Sequence, residues 1–251
     1  MIDLILGDCL EVMKRIPDGS IDAIICDLPY GTTQNKWDSV IPLDLMWSEY
    51  ERIIKTNGAI VLFSDSIFTA KLMLSNEKLF RYELVWDKVM ASGFLNANRM
   101  PMRRHENILL FYKKLPTYNK QMKARSKDVH SVGNKENYTK DQGKVGKSNY
   151  GEIKNKKINE IKYFNLKNPD SILEFTKGNN RGKYKKLHPT QKPLDLLEWL
   201  VKTYTNENDT ILDNTMGSGS TLVACKNLNR NGIGIEKDPQ YYAVAVARVD
   251  G

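Results

Sequence analysis

The chain has 251 residues, of which 41% are hydrophobic, 27% charged and 9% aromatic, an ordinary globular composition. No apolar run approaches the roughly 18 residues of a membrane-spanning helix, and the acidic N-terminus (Met1-Ile2-Asp3) does not have the basic start of a signal peptide. The three cysteines lack C-x-x-C spacing, which disfavours a disulfide framework and a zinc knuckle. We therefore expect a cytoplasmic protein without a membrane segment.

Apolar runs and helical spacing predict strands that alternate with helices. In chain order they predict a strand at 2–6, a helix from about 10 to 16, a strand at 21–26, a helix at 43–54, a strand at 59–63, a helix at 66–76, strands at 82–86 and 107–112, a helix at 194–204, a strand at 210–212, a helix at 217–227 and a strand at 232–235. This alternation indicates an α/β fold, with a mostly parallel sheet covered by helices on both faces. Ligands of such sheets lie beyond the carboxyl ends of the strands.

The net charge of +8 is unevenly distributed. Residues 113–187 hold 20 Lys and Arg against 7 Asp and Glu, a net charge of +13, whereas the rest of the chain holds 18 against 23, a net charge of −5. This segment is either a solvated loop, flexible in part, or a surface that binds a polyanion such as nucleic acid. We expect one packed domain, residues 1–112 and 188–251, that is interrupted by a basic insert, residues 113–187.

A glycine turn follows the predicted strand that ends at Asp213. The chain turns through Gly217-Ser218-Gly219 and opens a helix, and the next strand ends at Glu236. Glycines let the backbone approach a ligand, and an acid at a strand end can accept hydrogen bonds from ribose hydroxyls. The structural alternative is a tight turn with a capping acid. The third glycine of the dinucleotide fingerprint and the lysine of a phosphate-binding loop are both missing, which leaves a nucleoside as the predicted ligand.

A second polar group, Asp27-Leu28-Pro29-Tyr30, ends a predicted buried strand. A carboxylate and a backbone carbonyl can accept the two N–H bonds of a planar amine, while an aromatic ring stacks on its face. The alternative is an Asx-type turn with a packed tyrosine.

Several segments, in this order along the chain, resemble the β class of amino-group DNA methyltransferases that use S-adenosylmethionine. They are D-L-P-Y (27–30), H-P-T-Q-K-P (188–193), D-N-T-M-G-S-G-S-T (213–221), G-I-G-I-E (232–236) and Y-Y-A-V-A-V-A-R (241–248). The resemblance implies a circularly permuted, Rossmann-like methyltransferase fold in which the basic insert recognises the target sequence. Two motifs depart from the family pattern: Leu28 replaces a proline, and Asn214-Thr215 replace the usual Pro-Phe.

The resemblance also implies a role for each matching residue. Asp27 and the Leu28 carbonyl would accept the two amino hydrogens of a flipped base, and Tyr30, after Pro29, would stack on that base. The residues implied to bind the cofactor are Asp8, Cys9, Thr190, Gln191, Lys192, Asp213, Thr215, Gly217, Ser218, Gly219, Thr221 and Glu236. Among them, Asp8 would lie beside the adenine, Lys192 at the amino-acid end and Glu236 on the ribose; as a helix cap and a surface lysine, Asp8 and Lys192 also have ordinary explanations. The basic residues expected to bind DNA are Lys123, Arg125, Lys156, Lys157, Arg181, Lys183, Lys185 and Lys186.

The expected reaction is transfer of a methyl group from S-adenosylmethionine to the N6 amine of a flipped adenine in double-stranded DNA, without a metal. Asp in first place of the catalytic tetrapeptide resembles the adenine group of the family, whereas Ser is commoner there in the cytosine-N4 group, so the resemblance favours adenine. A cytosine-N4 or RNA methyltransferase, and a non-catalytic or antirestriction nucleic-acid-binding protein on the same scaffold, are the alternatives. DNA is the expected partner, and a homodimer and a cognate restriction endonuclease are further possible partners.

Overall fold

The computed structural model describes residues 1–31, 40–124, 166–176 and 191–251, together with the strand pairing of residues 147–148 and 151–152. Two compact units are present, of which the first comprises residues 1–119 and 170–251 and the second residues 120–169. The described strands are β1 (Ile2–Leu6), β2 (Ile21–Cys26), β3 (Ile54–Ser64), β4 (Phe80–Ser92), β5 (Arg103–Phe111), β6 (Lys123–Ala124), β7 (Lys147–Ser148), β8 (Gly151–Glu152), β9 (Leu166–Lys167), β10 (Ile172–Glu174), β11 (Thr210–Asp213) and β12 (Asn231–Glu236). The described helices are α1 (Cys9–Met13), α2 (Leu43–Ile53), α3 (Ser66–Ser75), α4 (Leu194–Tyr204), α5 (Ser220–Asn227) and α6 (Pro239–Asp250).

The first unit is built on an eight-stranded sheet in the order β1-β12-β11-β2-β3-β5-β4-β10. Every neighbouring pair is parallel except the two pairs that involve β5, which runs antiparallel to β3 and β4. The first and last strands of the chain, β1 and β12, pair side by side, and the N-terminal β2 pairs with the C-terminal β11. The expected α/β fold with a mostly parallel sheet is confirmed.

The sheet is buried on both faces because side chains alternate along each strand. In β2, Ile24 and Cys26 pack on the face covered by α1, α2 and α3, whereas Ala23 and Ile25 pack on the face covered by α4 and α5. All four side chains are buried. The apolar run at 21–26 therefore forms a central strand whose carboxyl end is held rigidly between two helical layers.

The second unit is described through two short antiparallel pairs. Lys123 in β6 lies opposite Lys167 in β9, and β7 pairs with β8. Its bounds are narrower than those of the predicted basic insert, residues 113–187. Asn119 belongs to the first unit, where its side-chain amide donates to the carbonyls of Lys202 and Thr205 at the carboxyl end of α4.

Strand β10 also belongs to the first unit, although it lies within the predicted insert. It pairs with β4, and the Trp86 indole donates to the carbonyl of Phe175 at 2.8 Å. Leu173 is fully buried in the core. This burial is the physical reason why β10 belongs to the scaffold, although its polar sequence neighbours led to its assignment to the insert.

Helix α6 was not predicted. Asp238 caps it by accepting hydrogen bonds from the N–H groups of Gln240 and Tyr241, and Pro239 occupies its first turn. Asp followed by Pro is a recognised signal for a helix start. No helix in the described part of the chain is long and apolar enough to cross a membrane.

Candidate active site

The carboxyl edge of the sheet brings together a network of largely buried charged side chains around Asp27, which is itself partly exposed. Asp27 follows β2 directly, and its Oδ2 atom lies 2.7 Å from the ammonium nitrogen of Lys192, while its Oδ1 atom accepts a 2.8 Å hydrogen bond from the Tyr30 hydroxyl. The same ammonium lies 3.1 Å from Oε2 of Glu106, whose Oε1 pairs with Lys88 at 2.7 Å. Two acids and two lysines therefore alternate in one chain of ion pairs.

The pKa values of this network follow from burial and pairing. Burial raises the pKa of Asp27, and the nearby Lys192 offsets only part of that rise. Burial acts in the same direction on Glu106, but Lys192 and Lys88 together outweigh it and lower its pKa. Burial would lower the pKa of Lys192, yet the two acids raise it, so the lysine stays charged. The two lysines therefore stabilise the ionised form of Glu106, and Lys192 offsets part of the cost of burying a charged Asp27.

Tyr30 is held between aromatic and cationic neighbours. Its ring stacks on Phe68 with a centroid distance of 5.1 Å, and the Lys192 ammonium lies 5.7 Å from its centroid. Leu28, in the place of the usual proline, is buried in the core. Packing of this leucine anchors the turn, so the departure from the family pattern has a structural explanation.

A glycine turn stands beside this network, at the carboxyl end of β11. Gly217 and Gly219 adopt left-handed backbone conformations, with φ of 51° and 74°. Glu236, at the end of β12, accepts the N–H of Gly217 through Oε2 at 2.9 Å and the N–H of Asp238 through Oε1 at 2.8 Å. The Thr215 hydroxyl donates to the backbone carbonyl of Asp27 at 3.0 Å. The turn and the Asp27 network therefore form one continuous site.

The sequence matches the family model described as DNA methylase, of the N6 and N4 type, over residues 21–247. That match covers β2, the Asp27 network, the glycine turn and most of α6. The chain belongs to this DNA methylase family. Its methyltransferase fold, predicted as a Rossmann-like sheet in permuted order, is shared with solved DNA methyltransferases.

The alignments with named relatives cover nearly all of this methylase chain. It is 28% identical to the type II methyltransferase M.HpaI of Haemophilus parainfluenzae over 98% of this chain and 74% of that protein, and 29% identical to M.BglII of Bacillus subtilis over 98% and 68%. The crystal structure of the M1.HpyAVI–SAM complex has 26% identity and a TM-score of 0.65, covering 99% of this chain and 100% of that chain. PvuII DNA methyltransferase, named as cytosine-N4-specific, has 16% identity and a TM-score of 0.69 over 98% and 86%, a likeness of fold.

Most of the predicted site residues of the methylase fall into three groups, and Lys123, in β6 of the second unit, is the predicted DNA contact that the structure describes. Asp27, Leu28, Pro29, Tyr30, Lys192, Thr215, Gly217 and Glu236 lie along the edge just described. Asp8 caps α1 by accepting the N–H of Leu10 and lies 3.4 Å from Lys237, and Cys9 follows it. Thr190, Arg125, Lys156, Lys157, Arg181, Lys183, Lys185 and Lys186 lie outside the described residues.

Two of the remaining predicted cofactor residues, Ser218 and Gly219, belong to the glycine turn and are held in place by α6. Arg248 of α6 donates to the backbone carbonyl of Ser218 at 2.6 Å and to its hydroxyl at 2.9 Å, and that hydroxyl lies 3.5 Å from the Gln191 amide oxygen. A Cβ atom on Gly219 would stand 3.0 Å from Ala245, so this position also needs a glycine because α6 packs closely against it. In this geometry Ser218 positions the turn, and Arg248 is a supporting residue that sequence reasoning had missed.

Asn214 replaces the family's proline and makes a bond that proline could not make. Its Oδ1 atom accepts a 2.6 Å hydrogen bond from the buried Tyr50 hydroxyl, which also lies 3.3 Å from Cys26 Sγ. This contact ties the glycine turn to α2, and no sequence signal beyond the departure itself pointed to it.

Asp213 is buried, and burial raises its pKa to about 7, against the partial opposition of the Thr221 hydroxyl and the Thr215 N–H. The folded protein holds this proton more tightly than the unfolded chain does. The free energy of unfolding therefore decreases as the pH rises from about 4 to about 7. We expect Asp213→Asn to flatten this part of the pH dependence by roughly 1 kcal/mol per pH unit. Urea unfolding of both proteins at pH 5, 6 and 7 measures the difference, and parallel stability curves would contradict it.

No group of three or more His, Cys, Asp or Glu side chains in the described part of the methylase could hold a metal ion.

Proposed function

We propose that this chain methylates the N6 amine of a flipped adenine in double-stranded DNA, with S-adenosylmethionine as methyl donor. The observation that carries the proposal is the Asp27 carboxylate, held by Lys192 and Tyr30 next to the glycine turn. The first-place Asp of the tetrapeptide favours adenine as target, and family membership supports DNA as substrate.

Asp27 has the acceptor capacity that an amine target needs. A carboxylate offers about four acceptor sites, and Lys192 and Tyr30 each use one of them. The others can accept an N–H of the base, with the Leu28 carbonyl as second acceptor. Two such bonds favour a more tetrahedral nitrogen whose lone pair is less delocalised into the ring, so positioning and electrostatics account for most of the rate enhancement.

The residues around the glycine turn fit S-adenosylmethionine. Glu236 uses one site on each carboxylate oxygen for backbone N–H groups, which leaves acceptor capacity for ribose hydroxyls. No described heavy atom lies within 4 Å of the place where a Cβ of residue 217 would stand, so a ligand can approach the backbone there. When bound, the cofactor supplies an electrophilic methyl group.

We expect Glu236→Gln to weaken S-adenosylmethionine binding roughly ten-fold or more, because an amide offers one acceptor oxygen where the carboxylate offered two charged ones. Calorimetric titration with the cofactor measures this change. Glu77→Gln, at an exposed position, is the matched control and should bind as the wild type does. Equal affinity in the Glu236 variant and the control would remove Glu236 from the cofactor site.

We expect Tyr30→Ala to be more damaging than Tyr30→Phe. Phenylalanine keeps the ring and its contact with Phe68 but loses the hydrogen bond to Asp27, whereas alanine loses both. Stacking on an unpaired base is worth roughly 1–3 kcal/mol, so the alanine variant should lose at least about a further five-fold in kcat/KM. Steady-state kinetics of both variants on one DNA substrate decide this point, and equal losses would assign the whole effect to the hydroxyl.

The basic insert, residues 113–187, is proposed to recognise the target sequence and to bind the phosphate backbone, with the basic residues named above as contacts. DNA affinity should then fall steeply with salt. A homodimer, a cognate endonuclease and a cytoplasmic location also remain predictions.

The decisive experiment is methylation of a panel of DNA substrates with labelled S-adenosylmethionine, followed by analysis of the nucleosides. N6-methyladenine supports the proposal. Detection of N4-methylcytosine would support a DNA methyltransferase whose target base is cytosine instead of adenine. Label that enters RNA instead of DNA, or no label at all, would overturn the proposal.

A further inference from the structure

The tip of the hairpin between β4 and β5, residues 89–102, exposes a group of large apolar side chains. They are Val89, Met90, Phe94, Leu95, Met100 and Met102. The side chains of Phe94 and Leu95 are 79% and 97% exposed. Single exposed apolar residues are ordinary, but six of them within one hairpin tip indicate an interaction surface.

The hairpin tip lies at the same edge of the sheet as Asp27. Because β5 is antiparallel, its first residues and the last residues of β4 lie at the carboxyl edge of the parallel strands. Glu106 of β5 contacts Lys192, which in turn contacts Asp27. A strand rises about 3.3 Å per residue, so Arg103 lies about 10 Å beyond Glu106, and the tip extends past the catalytic side chains.

Backbone hydrogen bonds hold the tip in a defined turn. Gly93 adopts a φ of 91°, and a 3-10 turn over Phe94–Asn96 follows, in which the N–H of Asn96 donates to the Gly93 carbonyl at 2.9 Å. Val89 has a φ of 62°, which is rare for a β-branched residue, and its N–H donates to Asp87 Oδ1 at 2.7 Å. The apolar side chains are therefore presented by a fixed backbone.

The charge of the hairpin fits a polyanion. Residues 89–105 contain no Asp or Glu, but three Arg and one His. Arg103 and Arg104 pair with Asp65 and Asp87 at the base of the hairpin, and Arg99 is exposed at the tip. A two-fold contact between two copies of this tip would place like charges together, which disfavours a second copy of the chain as its occupant.

We propose that the hairpin tip is a DNA-docking wedge: Phe94 and Leu95 insert at the base step beside the target, and Arg99 contacts the phosphate backbone. Proteins that open a duplex insert apolar side chains between base steps, and a base must leave the stack before an enzyme can modify it. The inference rests on the proposed function, and it assigns duplex opening to an element outside the predicted target-recognition insert.

The test compares a Phe94→Ala/Leu95→Ala variant with the wild type on two duplexes that contain the methylated site, one fully paired and one with the target base mispaired. We expect kcat/KM to fall roughly ten-fold or more on the paired duplex, and much less on the mispaired one, where the base is already partly unstacked. Fluorescence of 2-aminopurine at the target position should show the same loss of opening. Leu74→Ala, at an exposed apolar site on α3, is the matched control and should behave as the wild type does.

Three results would overturn the wedge while leaving the proposed function intact: no loss on either duplex, an equal loss on both, or a variant whose mass by light scattering is half that of the wild type. The last result would make the tip a contact between copies of the chain. Wild-type protein is assayed in parallel, and its failure to methylate either duplex would overturn the proposed function and the wedge together.

Discussion

Asp27→Asn is expected to lower the rate of methyl transfer at least about 100-fold while S-adenosylmethionine still binds. Asparagine has the same shape, but its amide has one acceptor oxygen and replaces the other acceptor with a donor. That donor would face the Lys192 ammonium or the target amine, both of which need an acceptor. Loss of one preorganised electrostatic contact at a reacting centre typically lowers kcat about 10²–10³-fold.

The fold of the Asp27 variant should survive, because Lys192 keeps its contact with Glu106. Transfer of labelled methyl groups and calorimetry with the cofactor are measured on the same preparation. Asp44→Asn, at an exposed position in the first turn of α2, is the control for the loss of a carboxylate. Activity near that of the control would remove Asp27 from the reaction, and loss of cofactor binding in a folded protein would move it to the cofactor site.

Lys192→Met is expected to have the second largest effect, on stability as well as on activity. Removal of the ammonium leaves Asp27 without its ion-pair partner and leaves Glu106 with Lys88 alone. Breaking a buried ion pair usually costs about 3–5 kcal/mol, and the lower end applies here because Asp27 is only partly buried. Urea unfolding measures this loss, and Lys237→Met, whose exposed ion pair with Asp8 is worth about 1 kcal/mol at most, is the control.

The pH profile of the Lys192 variant separates a role at Asp27 from a merely structural one. Lys192 lowers the pKa of Asp27, so its removal raises that pKa further above the ordinary value. A smaller fraction of Asp27 is then ionised at a given pH, and the acid limb of the activity profile moves to higher pH. An unmoved acid limb together with weaker cofactor binding would instead place Lys192 at the amino-acid end of the cofactor, as the family resemblance implies.

Local patterns were sufficient to predict most of the scaffold. The strands at 2–6 and 21–26 and the helix at 194–204 were predicted with the bounds that the structure shows, because an apolar run or helical spacing marks each of them. Strands β4 and β5 run further towards the active site than predicted. Their extensions include Lys88 and Glu106, charged residues that interrupt the apolar pattern and are stabilised by partners far away in the sequence.

The position of a candidate site residue was predictable where one motif ends one strand, as at Asp27, Asp213 and Glu236. The ion pairs within the candidate site were not predictable, because Lys88, Glu106, Lys192 and Asp27 come from three distant parts of the chain. The sequence signals were Lys88, which lies inside a strand, and Glu106, a single acid ahead of an apolar run. Neither signal says which charge it will meet. The ammonium of Lys192 contacts Asp27 and Glu106, and the cofactor contact that the family resemblance implies for it stays a prediction.

The pairing of β2 with β11 has a consequence for synthesis on the ribosome. Strand β2 lies between β3 and β11, and its partner Thr210–Asp213 follows the end of β2 by about 180 residues. Until β11 is made, one edge of β2 has unpaired backbone groups, and Asp27 lacks the hydroxyl of Thr215. The nascent chain is therefore inactive and prone to aggregate until β11 has been added. Products truncated before β11 should not methylate DNA and should aggregate.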